Sequence, residues 1–196
     1  GQLTDMEKES LEKVFQSNER LIKLVGDLLD ISRIESGRMR FNFIETDLGK
    51  ITTSVINELF IYAKKKNLRL EYRQSAESLP LAKMDEEKIR QVIINLIDNA
   101  IKYTKQGEVI VKVELINKQI RFSVIDSGVG IKQENIINLF KKFFRGKTAF
   151  LINTEGMGLG LYVARVIIEQ HHGKIWAESK GEDKGSKFCF ELPVKA

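Results

Sequence analysis

The chain has 196 residues, 42% of them hydrophobic and 30% charged, with a formal net charge of +5. That is enough for one full domain plus an appendage. A single cysteine, Cys189, excludes an internal disulfide framework and a cysteine-rich metal site. The two histidines, His171 and His172, are adjacent and lack companions at the spacing of a zinc site. No run approaches the length of a membrane span and no signal-like start is present, so the piece reads as cytoplasmic. Because Gly1 is not a natural start, it also fits the soluble end of a longer chain whose membrane contact lies upstream. The positive charge favours an anionic ligand only mildly. Lys64-Lys65-Lys66 and Lys141-Lys142 have no organised aromatic platform beside them and read as solvated helix ends, not as a nucleic-acid surface.

Residues 3–35 form one long helical pattern. Val14, Leu21 and Leu28 repeat every seven residues, as do Phe15, Ile22 and Leu29, with Leu11 and Val25 in a third row. Three apolar rows are wider than a two-stranded seam and need a bundle. Dimerisation is the economical way to cover them. Ser36-Gly37 stops the helix and marks a hinge. The period then changes to two, with Phe41, Phe43 and Glu45 on a short strand. Asp47 follows as the cap of a helix carrying Ile51, Val55, Leu59 and Ala63. Leu68, Leu70 and Tyr72 read as a strand, and a loop through Pro80 leads to Asp85, the cap of the next helix.

That helix holds Asn95-Leu-Ile-Asp-Asn-Ala-Ile-Lys-Tyr-Thr104. Ile89, Val92, Ile93, Leu96, Ile97 and Ala100 make its core face. Asn95, Asn99 and Lys102 fall on a second stripe at i, i+4 and i+7. Amide oxygens suit a hard cation and an ammonium suits phosphate. On this stretch alone, a cap-and-surface pattern accounts for the residues equally well. Val109 to Leu115 and Ile120 to Val124 alternate as a hairpin around Asn117-Lys118. The second strand runs into Asp126-Ser-Gly-Val-Gly130-Ile131, where glycines would let a planar polar ligand approach a carboxylate. A plain turn is the alternative for that motif taken singly. Lys132 to Phe144 read as a short helical segment, with Arg145 after it, and residues 146–157 as a functional loop. Gly156-Met-Gly158-Leu-Gly160-Leu161 opens a helix, presenting unpaired N–H groups as a phosphate site would. No βαβ order surrounds it, so it is not a dinucleotide fingerprint. Strands at 173–179 and 186–192 close the chain. The order implies an α+β fold of two layers, a mixed and mostly antiparallel sheet with helices on one face.

Taken together, residues 41–196 resemble the catalytic ATP-binding domain of a two-component sensor histidine kinase, a two-layer α/β sandwich of the Bergerat ATP-binding type. Asn95–Thr104 matches the N box, Asp126–Gly130 the first glycine box, Phe140–Arg145 the F box and Gly156–Leu161 the second glycine box. Gly185-Ser-Lys-Phe188 ahead of Phe190-Glu-Leu-Pro193 resembles the closing motif. Residues 3–37 resemble the second helix of the family's dimerisation and phosphotransfer domain. The resemblance divides the chain into 1–37, part of that bundle, and 38–196, the catalytic domain. Four spaced motifs in order are far more specific than any one alone.

The resemblance implies ATP and Mg²⁺ as cofactors. Asn99 would hold the metal with Asn95 beside it, Lys102 would contact phosphate, and Tyr103 would pack against the nucleoside. Asp126 would bind the adenine amino group, with Gly128 and Gly130 admitting the base. Gly158 and Gly160 would hold phosphates beneath a lid at 146–157. Ile131, Gly156, Leu159 and Leu161 complete the cofactor-binding positions, and Asn95, Lys102 and Arg145 are the implied catalytic groups. It also implies a dimer and a response-regulator receiver domain as partner. Met157 stands where a hydroxyl is common, and Lys174 replaces a glycine. The phosphoacceptor histidine of the first bundle helix has no counterpart here. His171 and His172 fall in a structural His-Gly context, so the chain should bind Mg·ATP without labelling itself at the usual site. Two other functions fit parts of the pattern: an ATP-driven conformational clamp, and a dimerising interaction module with a degenerate site.

Overall fold

Thr4 and Glu7 open the first helix reciprocally. The Glu7 amide donates to the Thr4 hydroxyl at 3.3 Å and the Thr4 amide donates to the Glu7 carboxylate at 2.7 Å, satisfying two donors that a helix start leaves unpaired. In the computed structural model, which describes residues 4–74, 79–146 and 156–194, this helix, α1, runs Asp5–Glu35. Gly37 takes φ +65° and the Arg38 amide donates back to the Arg33 carbonyl at 2.8 Å, so a left-handed residue ends the helix where Ser36-Gly37 implied. Val14, Phe15, Leu21, Ile22, Leu28 and Leu29 stand 49–66% exposed along α1. Each such side chain gains about 1.5–3 kcal/mol on burial, and a single chain does not realise that gain. Gly1–Met39 and Arg40–Ala196 form two compact units; the second holds the sheet.

In that unit Asp47 accepts the Gly49 and Lys50 amides at 2.8 and 3.2 Å and starts α2, Leu48–Lys65. The strand before it, β1, is only Ile44–Thr46. Phe41 and Phe43, expected to belong to it, lie outside. The Asn42 amide donates to Asp85 Oδ2 at 2.8 Å instead of to a strand neighbour. Both Phe rings pack edge-on against His171, at centroid distances of 5.7 and 4.9 Å. β1 pairs antiparallel with β3, Ala82–Met84, where a loop was expected. Three residues give alternation too little room to register, although Ala82 and Met84 are buried on either side of exposed Lys83.

The main sheet has the order β2-β4-β5-β7-β6. Its strands are β2 (Leu68–Gln74), β4 (Gly107–Ile116), β5 (Gln119–Asp126), β6 (Lys174–Glu178) and β7 (Ser186–Pro193). Only β2 and β4 pair in parallel. A parallel pair needs a crossover, and α3, Glu86–Tyr103, lies in that connection. The β4–β5 hairpin turns through Asn117 and Lys118, both at positive φ, as a two-residue turn matching strand twist requires. Val111, Val124, Phe188 and Ala177 stand in register across four strands, as do Val113, Phe122, Phe190 and Ile175. The Phe122 and Phe190 rings stack at 4.9 Å. These residues make the core beneath α2, α3 and the last helix, α5 (Gly160–Gln170). The opposite face carries the Arg121–Glu191 ion pair and the Arg121 guanidinium 5.4 Å from the Trp176 ring centre.

The expected helix at 132–144 is largely absent. α4 covers Gln133–Ile136 only, and turns follow. Asn138, Leu139 and Lys141 donate to the third residue before them, at 2.9–3.3 Å. Phe143 then adopts φ +60°. The apolar spacing there does not build a buried face, since Ile136, Leu139 and Phe140 are only half-buried and Phe143 is 62% exposed. Without a packed stripe, so short a segment has little to hold it helical.

α5 ends on His171. Its Nδ1–H donates to the Ile167 carbonyl at 2.7 Å and its Nε2 accepts the Asp85 amide at 2.9 Å. Both nitrogens are engaged in a ring only 3% exposed, so this side chain is structural. Burial holds its pKa below the usual imidazole range, with the Ile167 carbonyl and Asp85 opposing and His172 adding to the depression. The native state therefore resists a proton that the unfolded chain accepts. The His171 contribution is complete above the ordinary value of about 6.5 and is lost as pH falls below it, by up to about 1.4 kcal/mol per pH unit. Urea unfolding between pH 8 and 5 should show a steeper acid-side loss for the parent than for His171→Gln, whose amide oxygen can still accept from Asp85. Equal slopes would refute this role.

Candidate functional site

α3 positions the carboxamide stripe. Asp85 caps it, accepting the Lys88 amide at 3.0 Å, and Ile89, Val92, Ile93, Leu96, Ile97, Ala100 and Ile101 are all buried. This fixes the rotation of the helix, and Asn95, Asn99 and Lys102 come off to one side, each half-buried. Asn99 Nδ2 stands 3.5 Å from Asn95 Oδ1. Asn95 Nδ2 is buried with no hydrogen-bond partner among the described residues. A buried, unsatisfied amide costs about 1–3 kcal/mol, and such groups are uncommon away from sites that receive a ligand. Lys102 pairs with Asp98 at 2.6 Å. The i,i+4 spacing carried that signal, yet sequence reading gave Asp98 no part.

Asp126 ends β5 in register with Val109 and Ser186. It therefore points to the same side as Val124 and Phe122, toward the helices, and is 7% exposed. The Gly128 amide donates to its Oδ1 at 2.8 Å, and the Ser186 hydroxyl and amide donate to its carboxylate as well. Burial raises the Asp126 pKa, and these three donors pull it back. Ser186 was quoted in the closing motif without a role; its register opposite Asp126 could not be read before the strands were paired.

Four close approaches join the predicted pieces. The Val129 amide donates to the Tyr103 carbonyl at 3.3 Å. A Cβ on Gly128 would lie 2.5 Å from that same carbonyl and 3.0 Å from Thr104 Oγ1. A Cβ on Gly160 would lie 2.4 Å from Asn95 Oδ1. Gly158, at φ +71°, is pressed against the Phe144 carbonyl and Arg145. Arg145 donates to the Gly156 carbonyl at 3.0 Å and also reaches the Tyr103 hydroxyl, lowering a pKa that burial raises. Leu159 is buried and Leu161 half-buried at the start of α5. That helix begins without a side-chain cap, which leaves its first amides unpaired within the helix.

Not every predicted residue joins this cluster. Gly130, at φ +66°, turns onto the Gly181 carbonyl, and the Ile131 amide donates to Ser179 Oγ at 3.0 Å. Both pack on the 179–185 loop instead of on α3 or α5. The predicted lid lies outside the described residues apart from Gly146, Gly156 and Met157.

The α+β layers and the convergence of a carboxamide stripe, a buried carboxylate and an uncapped helix start define an ATPase domain. The chain belongs to the histidine kinase-, DNA gyrase B-, and HSP90-like ATPase family, whose model matches residues 84–196. It is 32% identical over 195 residues to the circadian input-output histidine kinase CikA of Synechococcus elongatus, covering 98% of this chain and 26% of CikA. The chain thus spans about a quarter of the length of the first curated relatives it matches. Full-length ShkA in complex with AMPPNP superposes with a TM-score of 0.82 at 25% identity, covering all of this chain and 41% of ShkA. The catalytic domain of the histidine kinase ThkA superposes at 0.69 with 32% identity, covering 80% of this chain and all of that domain. ThkA in complex with the response regulator protein TrrA gives 0.74 at 25% identity, covering all of this chain and 53% of ThkA.

Proposed function

We propose that this chain is the Mg·ATP-binding catalytic portion of a sensor histidine kinase, which moves the γ-phosphoryl group to a histidine on another segment for relay to a receiver-domain aspartate. The observation that carries the proposal is the seating of Gly160 on Asn95 while the Val129 amide bonds the Tyr103 carbonyl. Those contacts bring the base-reading end and the phosphate-reading end together on one helix.

Asp126 accepts the adenine amino group, and Gly128 keeps the floor beside it free of side chain. The unpaired amides of α5 and the Lys102 ammonium meet phosphate oxygens. Lys102 exchanges Asp98 for the nucleotide when it does so. A hard cation takes oxygen donors; Asn99 and Asn95 would offer amide oxygens, and the unsatisfied Asn95 Nδ2, a donor, suits a phosphate oxygen beside it. Magnesium supplies charge neutralisation on the phosphates. Arg145, beside Tyr103 and Gly156, offsets the charge that develops during transfer, where positioning and electrostatics carry most of the catalysis. α1 supplies one helix of a dimeric bundle, since its exposed rows need a second copy or partner helices. The AMPPNP bound to ShkA and the response regulator bound to ThkA support the nucleotide and the partner assigned here.

Incubation with γ-labelled ATP tests this. The chain alone should stay unlabelled at His171 and His172. Label should appear on an added fragment carrying a histidine-bearing bundle helix. Its mass in solution should be that of a dimer, reverting to monomer when residues 1–37 are removed. Labelling of His171, or hydrolysis indifferent to any histidine acceptor, would refute the kinase assignment.

A further inference from the structure

The carbonyls at the end of α3 can be accounted for one by one. Ala100 O accepts the Thr104 amide at 3.1 Å and the Thr104 hydroxyl at 2.7 Å. Tyr103 O accepts the Val129 amide at 3.3 Å. The other three, on Ile101, Lys102 and Thr104, all receive one donor, the Lys66 ammonium, at 2.7, 3.1 and 3.3 Å. Lys66 is the C-cap of α2, and its side chain reaches 35–38 residues along the chain to do this.

A cation at a helix C-terminus meets the negative end of the macrodipole and supplies the donors that the last turn lacks. The ammonium is partly buried against that turn, and burial lowers its pKa while the nearby Asp98 raises it. A second donor to these five carbonyls from outside the helix is the Val129 amide, in the Asp126–Gly130 loop. The end of α3 is thus held between two supports, Lys66 on one side and Val129 on the other. If Lys66 lets go, three carbonyls must find water. The turn carrying Tyr103 and Thr104 then loses that hold, and any shift of it displaces Gly128, whose backbone has no clearance there.

We propose that Lys66 is a positioning residue of the nucleotide site: it fixes the C-terminal turn of α3 and, through it, the alignment of the Asp126 loop against the base. This rests on the ATP reading above. Lys66 acts by holding the turn that carries Tyr103 and Thr104, and so its effect falls on base discrimination. Guanine presents a carbonyl where adenine carries its amine, so the ratio of ADP to GDP affinity reports the Asp126 alignment directly.

The test is calorimetric titration of the full chain with ADP and with GDP, for the parent, Lys66→Met, Lys66→Arg and Asp126→Asn. Lys66→Met should raise the Kd for ADP about tenfold, the weight of one well-aligned hydrogen bond, with little change for GDP. Lys66→Arg, which keeps charge and donors, should recover most of the preference. Folding is checked by thermal melts; should the Met variant fail to fold, Lys66→Arg and Lys66→Gln carry the comparison, with preference retained in the first and reduced in the second. An unchanged ADP preference in Lys66→Met, or an equal loss for both nucleotides, would overturn the proposal while loss of preference in Asp126→Asn still upholds the ATP reading. An Asp126→Asn variant that keeps its preference for ADP would instead bring down the ATP reading itself.

Discussion

Asp126→Asn should weaken ADP binding by about 10- to 100-fold, the range expected when a charged hydrogen bond to a ligand is lost and its site is left occupied by the wrong group. The unliganded domain should be as stable as the parent at neutral pH, or more so. The two halves of this expectation have one cause. The carboxylate is buried, and burial raises its pKa. For an acid whose folded pKa is raised, the native state binds its proton more readily than the unfolded chain does. The penalty is absent below the ordinary carboxylate range, grows as pH rises from there toward the folded pKa, and is complete above it. Asparagine removes that penalty at little cost to the hydrogen bonds. Its oxygen can keep the Gly128 and Ser186 amides, and its NH₂ can donate to the Ser186 hydroxyl, which reverses roles. Toward adenine, however, a donor now faces a donor. Titration with ADP, alongside urea unfolding from pH 7 down into the ordinary carboxylate range, checks both halves. The stability gap should narrow at the lower pH, and a variant that binds ADP as the parent does would remove Asp126 from the site.

Gly160→Ala should fold with a melting temperature near that of the parent and lose Mg·ATP-dependent transfer by about 100-fold. The added methyl would stand 2.4 Å from Asn95 Oδ1 and 3.0 Å from its Cγ. The contact is with a side chain, so Asn95 can rotate away, and a helix gains up to about 1 kcal/mol from alanine over glycine. What it loses is the placement of the carboxamide. Displacement of a positioned group by about 1 Å can cost about 10² in rate. The affinity difference between ADP with magnesium and ADP with a chelator separates this from a folding defect, because that difference should shrink while binding without metal changes little. Full magnesium-dependent transfer by a folded Gly160→Ala variant would show that the Asn95–Gly160 contact has no part in the chemistry.

Much of this site could be read before any coordinates. The stripe at Asn95, Asn99 and Lys102 needed only the helical period, and the caps at Asp47 and Asp85 only residue type and place. Asp126 could be read as a strand-end carboxylate, but its direction came from register with Val109 and Ser186, which pairing alone decides. Lys66 could not be read as a cap. Its basic run looked like a solvated end, because the three carbonyls it serves lie 35–38 residues away. The Phe41–Phe43 strand failed for a similar reason: alternation was present, but His171 and Asp85, distant in sequence, claimed the rings and the intervening amide. In the F box, apolar spacing without burial misled, as the 62% exposure of Phe143 shows.

The lone thiol has a practical consequence. Cys189 sits in the interior strand β7, fully buried, with burial pushing it up to about 11. The thiolate is the form that attacks alkylating reagents, so the folded domain presents them a silent background. A single cysteine introduced on the surface beside Arg145 would take a fluorophore or spin label alone, and the chain can report on the neighbourhood of its nucleotide without first being stripped of its native sulfur.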